Sequence, residues 1–250
     1  MPTFEVLVNG FLQTATYDME SIDGALMPLL QLLSAMRRKQ DRRLVVYLAA
    51  PPGAGKSTLA ALLETMSQNV PELEHVQALG MDGFHYRKDY IESHVVMKEG
   101  RSIPMGWVKG CPESFDLQKL ARALMHIRGS NAIWPIYDRN LHDVSDEIIK
   151  VEAPIALIEG NWMLLDEPEW REIYAYCDFA VMLEPDLGSI KERLIQRKVR
   201  GGSTLEEANK HFDRCDGPNI KRCLASRLPA NAILRVLASG QWSFQMTGSK

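Results

Sequence analysis

The sequence predicts an α/β fold, a three-layer α/β/α domain on a mainly parallel sheet of about five strands, with small β-hairpins at the termini. Three observations carry that expectation. The runs Leu44-Val45-Val46-Tyr47-Leu48-Ala49, Pro154-Ile155-Ala156-Leu157-Ile158-Glu159 and 178–184 are nearly continuous apolar stretches, as strands buried on both faces require. Helical periodicities alternate with them, the arrangement that joins parallel strands by crossover helices. The first run also leads directly into Ala50-Pro51-Pro52-Gly53-Ala54-Gly55-Lys56-Ser57-Thr58, a glycine-rich turn opening a helix at Lys-Ser-Thr.

Residues 4–17 alternate apolar and polar positions around Asn9-Gly10, a hairpin with a tight primed turn. From Ser21 to about Lys39, Ile22, Leu26, Leu29, Leu30, Leu33 and Met36 recur at helical spacing, and Arg37-Arg38-Lys39 suits a solvated helix end. Strand 44–50 feeds the glycine-rich turn and a helix through about Ser67, and a short strand covers about 75–80. The stretch 82–114 is long and irregular, which in a compact domain marks a functional loop or lid. A helix over 116–128, a short strand near 132–137, and the strands at 154–159 and 178–184 follow. Asp186 caps a helix through about Val199. Residues 204–214 and 218–227 read as helices, and Ile233–Leu237 with Trp242–Gln245 form a closing hairpin. No linker interrupts the chain. The expectation is one domain over 1–250, with a hairpin and helix at 1–43, a core at 44–228 and a hairpin at 229–250 that pairs with the first.

Composition excludes several classes. With 46% hydrophobic and 24% charged residues the chain is an ordinary globule, and a net charge of −3 gives no polyanion-binding signature, so no nucleic-acid partner is expected. No apolar run approaches the roughly 20 residues of a membrane span, and Met1-Pro2-Thr3-Phe4-Glu5 does not open a secretory leader. Cys111, Cys177, Cys215 and Cys223 show no C-x-x-C spacing and read as reduced thiols. The expectation is a cytoplasmic enzyme without membrane partners, for which a homodimer is allowed.

The segment 50–58 is a P-loop. Its glycines let backbone N–H groups converge on phosphate oxygens, and the following helix presents its partly positive end. Gly53, Ala54, Gly55, Lys56, Ser57 and Thr58 are the nucleotide-binding set, with Lys56 reaching the β- and γ-phosphates and Ser57 holding Mg²⁺. Ala50 replaces the usual first glycine, a mild change. ATP and Mg²⁺ are the implied substrate and cofactor.

Two carboxylates follow. Asp82, in Met81-Asp82-Gly83-Phe84-His85, and Glu159, before Gly160-Asn161, each end a strand and so face the crevice where open α/β sheets bind ligands. One accepts a hydroxyl proton and the other serves the metal. Asp82 is favoured as base, but the residues alone leave the two roles open. Arg193 and Arg197, one helical turn apart before Arg200-Gly201-Gly202, are placed to neutralise a transferring phosphoryl group, although a solvated helix face is the plainer alternative. Trp107, Trp134 and Trp170 read as packing residues. Guanine recognition is unsupported, since Asn209-Lys210-His211-Phe212-Asp213 is one residue too long. A transporter signature is equally unsupported at Ala238-Ser239-Gly240-Gln241.

Together with Pro112-Glu113-Ser114-Phe115-Asp116, Pro135-Ile136-Tyr137-Asp138-Arg139, Ile158-Glu159-Gly160-Asn161-Trp162 and Arg193-Leu194…Arg197, these strings resemble the phosphoribulokinase, uridine kinase and pantothenate kinase family of P-loop kinases. The resemblance spans about 44–225. Asp216-Gly217-Pro218-Asn219 points to a bacterial branch of unassigned substrate, the fructose-transport-associated kinases. It implies a nucleoside- or nucleotide-kinase-like fold and ATP-dependent phosphorylation of a hydroxyl on a small metabolite of the sugar, nucleoside or coenzyme-precursor type. A nucleotide-binding regulator without turnover is the alternative. Residue by residue, it implies Asp82 as base and Phe115, Asp116, Tyr137 and His142 around the acceptor. Uridine kinases have an aromatic where this chain has Arg139 and tyrosine where it has His85. That exchange points away from uridine and toward a polar acceptor, carboxylated or phosphorylated.

Overall fold

A computed structural model describes residues 1–8, 11–98, 100–237 and 239–248. The strands in chain order are β1 (Thr3–Val8), β2 (Phe11–Thr16), β3 (Leu44–Ala49), β4 (Val76–Gly80), β5 (Val95–Lys98), β6 (Arg101–Pro104), β7 (Ile133–Asp138), β8 (Asp143–Lys150), β9 (Ile155–Gly160), β10 (Phe179–Glu184), β11 (Ala232–Val236) and β12 (Trp242–Met246). Six of them form the central sheet in the order β12-β11-β10-β3-β9-β4. Its five strands from β11 to β4 are parallel, and β12 closes one edge antiparallel to β11.

The period of two along the central strands divides the core. Leu44, Val46 and Leu48 of β3, with Ile155 and Leu157 of β9, face one apolar layer. Val45, Tyr47 and Ala49, with Ala156 and Ile158, face the other. The first layer is filled by the helix Met27–Arg38, whose Leu29, Leu30 and Leu33 are fully buried, and by the P-loop helix Lys56–Asn69. The second is filled by the helices Leu117–His126 and Pro168–Tyr174 and by Trp162 to Leu165. Each buried leucine contributes about 1.5–3 kcal/mol on an area basis, so both faces of the sheet are held by the hydrophobic effect.

Several expectations change here. The terminal hairpins do not pair with each other. The N-terminal one, β1 with β2, is a separate two-stranded sheet, while β11 and β12 extend the central sheet. The segment just after β2 meets β12 instead: the Trp242 backbone N–H donates to Ser21 Oγ at 2.9 Å, Gln241 Nε2 donates to the Glu20 carboxylate, and the Tyr17 and Trp242 rings lie 5.6 Å apart. The primed turn expected at Asn9-Gly10 lies outside the described residues. The strand near 132–137 is not in the parallel sheet either. It pairs antiparallel with β8: Pro135 lacks a ladder donor, the register is irregular between Pro135 and Tyr137, and only Trp134 and Tyr137 of the run are buried where a doubly covered strand would be buried throughout. The stretch 82–114 holds more structure than a bare lid: a short helix Lys88–Ser93, the hairpin of β5 with β6, and a small core of Ile91, Val96, Met105, Val108 and Cys111. The helix at Pro168–Tyr174 adds to the expected elements, and the helical run Met19–Arg38 opens with an α turn at Met19–Ser21 before a π turn at Ile22–Leu26. Trp134 and Trp170 are buried, but Trp107 is 53% exposed beneath the Arg214 guanidinium.

Candidate active site

The C-terminal ends of β3, β4 and β9 lie side by side, so the segments that follow them meet at one edge of the sheet. After β3, Gly53 and Gly55 take left-handed backbone angles, φ 77° and 87°, that L side chains rarely adopt. Gly55 is the N-cap of Lys56–Asn69 without a side-chain capping bond, so the first-turn N–H groups are not claimed by a capping side chain. A Cβ on Gly53 would sit 2.8 Å from Leu194 Cγ. The helix Leu187–Arg200 therefore rests on the loop through Leu194, between Arg193 and Arg197.

Ser57 Oγ donates to Glu159 Oε1 at 2.7 Å, and Lys56 Nζ stands 3.9 Å from Glu159 Oε2. Glu159 is 7% exposed; burial pushes its pKa up, the Asp82 charge adds to that, and Lys56 and the Ser57 hydroxyl oppose it. A hydroxyl beside a buried carboxylate is a hard-oxygen donor set, which fits Mg²⁺ and would keep Glu159 ionised. Thr58 Oγ1 turns toward Gln13 of β2 at 3.4 Å, so its side chain tethers the N-terminal hairpin.

After β4, the turn Met81–Phe84 presents Asp82, which is ion-paired to Arg139 Nη2. Burial would raise the Asp82 pKa, but Arg139 first, then His85, Lys56 and Arg197, hold it at about 2. His85 stacks on Phe115 at 3.9 Å and meets the Tyr137 edge at 5.7 Å, with Nδ1 3.1 Å from the Ser114 carbonyl. Burial lowers its pKa to about 4 against the pull of Asp82, so its ring is neutral near pH 7. Tyr137 is buried at the end of β7, and Arg139 lies 5.0 Å over its ring.

The structure thus brings Lys56, Ser57, Asp82, Glu159 and Arg139 together, with His85, Phe115 and Tyr137 beside them. Arg193 and Arg197 stand on the helix above the P-loop, exposed and without ion-pair partners among the described residues. Desolvation lowers the Arg197 pKa, while Asp216 and Asp82 act against that. Asp116 stands apart: it caps Leu117–His126 by accepting from Lys119 N–H at 2.9 Å. It also lines a cleft of about 930 Å³ with Phe115, Glu113, Glu167 and Trp170, to which Lys56, Asp82, Glu159 and Arg139 do not contribute. The His142 ring is exposed, and that residue contributes its carbonyl instead, on a backbone with φ 53°.

That carbonyl and the Tyr137 hydroxyl both accept from Lys109 Nζ, each at 2.9 Å. Lys109 was missed in sequence because it sits in the irregular stretch with no motif around it. Burial lowers its pKa, and Asp143 and Asp82 partly restore it.

Residues 45–227 match the model of the Phosphoribulokinase / Uridine kinase family. The chain belongs to that family. Two relatives are similar over nearly full length. The uncharacterized YggC protein of Escherichia coli (strain K12) is 39% identical over 241 residues, covering 96% of this chain and 98% of YggC. A Schizosaccharomyces pombe protein provisionally named a uridine kinase is 28% identical over 233 residues, 90% of this chain and 95% of its own. Among solved structures, a protein provisionally assigned as a fructose transport system kinase from Silicibacter sp. TM1040 superposes with a TM-score of 0.69 at 30% identity. That match covers 82% of this chain and 97% of the other. The family and the parallel sheet with its P-loop agree on a P-loop kinase fold. No helix among the described residues is long and apolar enough to cross a membrane.

Proposed function

We propose that this protein transfers the γ-phosphoryl group of ATP, with Mg²⁺, to a hydroxyl of a small metabolite. The observation that carries this reading is the Ser57–Glu159 contact of 2.7 Å beside Lys56, with Asp82 presented from the neighbouring strand end. A nucleotide-binding surface alone needs no such pair of carboxylates.

In this reading the P-loop backbone and Lys56 hold the triphosphate, and Ser57 and Glu159 would hold Mg²⁺, which would supply charge neutralisation to the phosphate oxygens. Asp82 orients the acceptor hydroxyl. The acceptor oxygen forms a bond to the γ-phosphorus as the bond to the bridging oxygen of ADP breaks. The leaving electron pair goes to ADP, and the hydroxyl proton goes to the Asp82 carboxylate and then to solvent. Arg193 and Arg197, carried over the P-loop by Leu194, neutralise charge on the group in transit. Most of the acceleration then comes from positioning and electrostatics.

The test is incubation with γ-labelled ATP and pooled small metabolites. Labelled product that disappears in Asp82→Asn supports the reading. ATP binding without any labelled product would instead describe a nucleotide-binding regulator.

A further inference from the structure

Lys56, Lys109, Arg139 and Arg197 stand around the Asp82 end of the site, and the triphosphate accounts for only some of these cations. Lys56 belongs to the P-loop, and Arg193 and Arg197 ride on the helix seated against Gly53. Lys109 and Arg139 do not. Both lie over the Tyr137 ring, each 5.0 Å from its centroid, on the side of the β7–β8 hairpin.

Lys109 donates two hydrogen bonds to neutral oxygens, the Tyr137 hydroxyl and the His142 carbonyl. An ammonium has three donors, and among the described residues no carboxylate lies in ion-pair range of this one. A partly desolvated cation held on neutral acceptors is poised for an anion. Arg139 does have an anion, but it is Asp82, and only Nη2 makes the contact. A guanidinium has five donors in a rigid fork, which matches a carboxylate or phosphate better than a single-oxygen contact does. The ion pair also masks the group that must take the proton, since a carboxylate held by a guanidinium is a poor base.

We propose that the acceptor carries an oxyanion of its own, bound between Lys109 and Arg139, and that this anion draws Arg139 off Asp82 and so frees the base only when acceptor is present. The inference rests on the phosphotransfer reading above. It makes Arg139 both a specificity residue and a guard against wasteful ATP hydrolysis, because water brings no anion to displace the guanidinium. A neutral polyol would have to leave Lys109 unpaired and Asp82 masked.

The experiment uses matched probes that differ in the anionic group: glycerate and glycerol, gluconate and glucose, ribose 5-phosphate and ribose, each with γ-labelled ATP. Wild-type protein is expected to prefer anionic members by about 10²-fold or more in kcat/KM, the scale on which a site rejects a ligand lacking its charged partner. The carboxylates and the sugar phosphate distinguish the two kinds of oxyanion. Lys109→Ala is expected to raise KM for the anionic probe roughly 10- to 100-fold with a smaller change in kcat. Arg139→Ala is expected to lose the discrimination and to raise acceptor-independent ATP hydrolysis. Carbon-13 NMR of the Asp82 carboxyl gives a readout without turnover: its pKa should rise from about 2 when the anionic probe binds. Neutral and anionic members phosphorylated equally well by the wild type would overturn this inference and leave the phosphotransfer reading standing. That comparison needs no variant to fold. ATP binding with no product from any probe or pooled metabolite would remove both.

Discussion

Gly83 follows the proposed base and has no room for a side chain. A Cβ there would lie 2.1 Å from the Pro135 carbonyl oxygen, 2.6 Å from its carbon and 3.2 Å from Ile136 N. All three are backbone atoms of β7, so no flexible side chain can swing aside. The same seam is fixed by Trp134 Nε1 donating to the Gly80 carbonyl at 2.8 Å and by Phe84 packing edge-on to Trp134 at 4.7 Å. In Gly83→Ala, the base turn and β7 must separate by roughly 1.3 Å before the contact becomes ordinary. Overpacking of that kind costs about 1–3 kcal/mol. For a domain of this size it corresponds to a drop in Tm of roughly 3–10 °C. Displacing Asp82 from Arg139 and the acceptor by about 1 Å is expected to lower kcat by about 10²-fold. Thermal unfolding and coupled ADP release measure the two effects. Gly24→Ala is the control: nothing lies within 4 Å of its Cβ, so Tm should hold or rise slightly. A Gly83→Ala protein that melts and turns over like wild type would refute the close seating of β7 on the base turn.

Other outcomes follow from the same geometry. Asp82→Asn should lower kcat by about 10²–10⁴-fold with ATP affinity nearly intact in an equilibrium nucleotide titration; near-wild-type turnover would remove Asp82 from the base role. Glu159→Gln should raise the Mg²⁺ concentration for half-maximal turnover roughly 10- to 100-fold, and an unchanged Mg²⁺ titration would count against the Ser57–Glu159 metal site. Asp178 tests a structural ion cluster. Burial would raise its pKa, but bonds from Arg42, the Val45 N–H and Arg128 prevail and lower it. Its stabilisation is therefore full above the ordinary aspartate pKa of about 3.9 and is lost as pH falls toward the lowered folded value. The Tm gap between wild type and Asp178→Asn should be widest near pH 7 and close below about pH 4; a gap independent of pH would show that the charge is not what stabilises.

The donor half of the site was legible in sequence because its chemistry is local. Gly53, Gly55, Lys56 and Ser57 lie within five residues, and the positive backbone angles at the two glycines are what their spacing requires. Asp82 and Glu159 were legible because each ends an apolar strand, and topology does the rest. The acceptor half was only partly legible. Tyr137 and Arg139 carried a family pattern, but Lys109 meets them across 28 residues and through a folded loop that no periodicity announces. Asp116 was read as an acceptor contact and is found capping a helix, a job that a carboxylate before Leu117 does equally well. The C-terminal pair β11 and β12 was recognised as strands but not as sheet members. Alternation identifies a hairpin, whereas the parallel pairing of β11 with β10 is a tertiary fact.

The two halves also differ in how they are mounted, and that difference has a consequence for specificity. Glu159 stands at the end of a strand buried on both faces, and Lys56 and Ser57 open the helix that packs into the same core, so a change that shifts them must disturb the main core. Tyr137 and Arg139 stand on a two-stranded sheet outside it, joined to the base turn by the Gly83–Pro135 contact and the Trp134–Gly80 hydrogen bond. Lys109 reaches them from a loop with its own small core. Substitutions at 109, 139 or 142 can therefore alter which acceptor is held while leaving the phosphate-binding sheet intact, because the energy that folds the sheet does not pass through those side chains. Asp82 is the exception. It is placed by β4 but paired to Arg139 on the hairpin, so the reactivity of the base is set by the part of the molecule that recognises the acceptor.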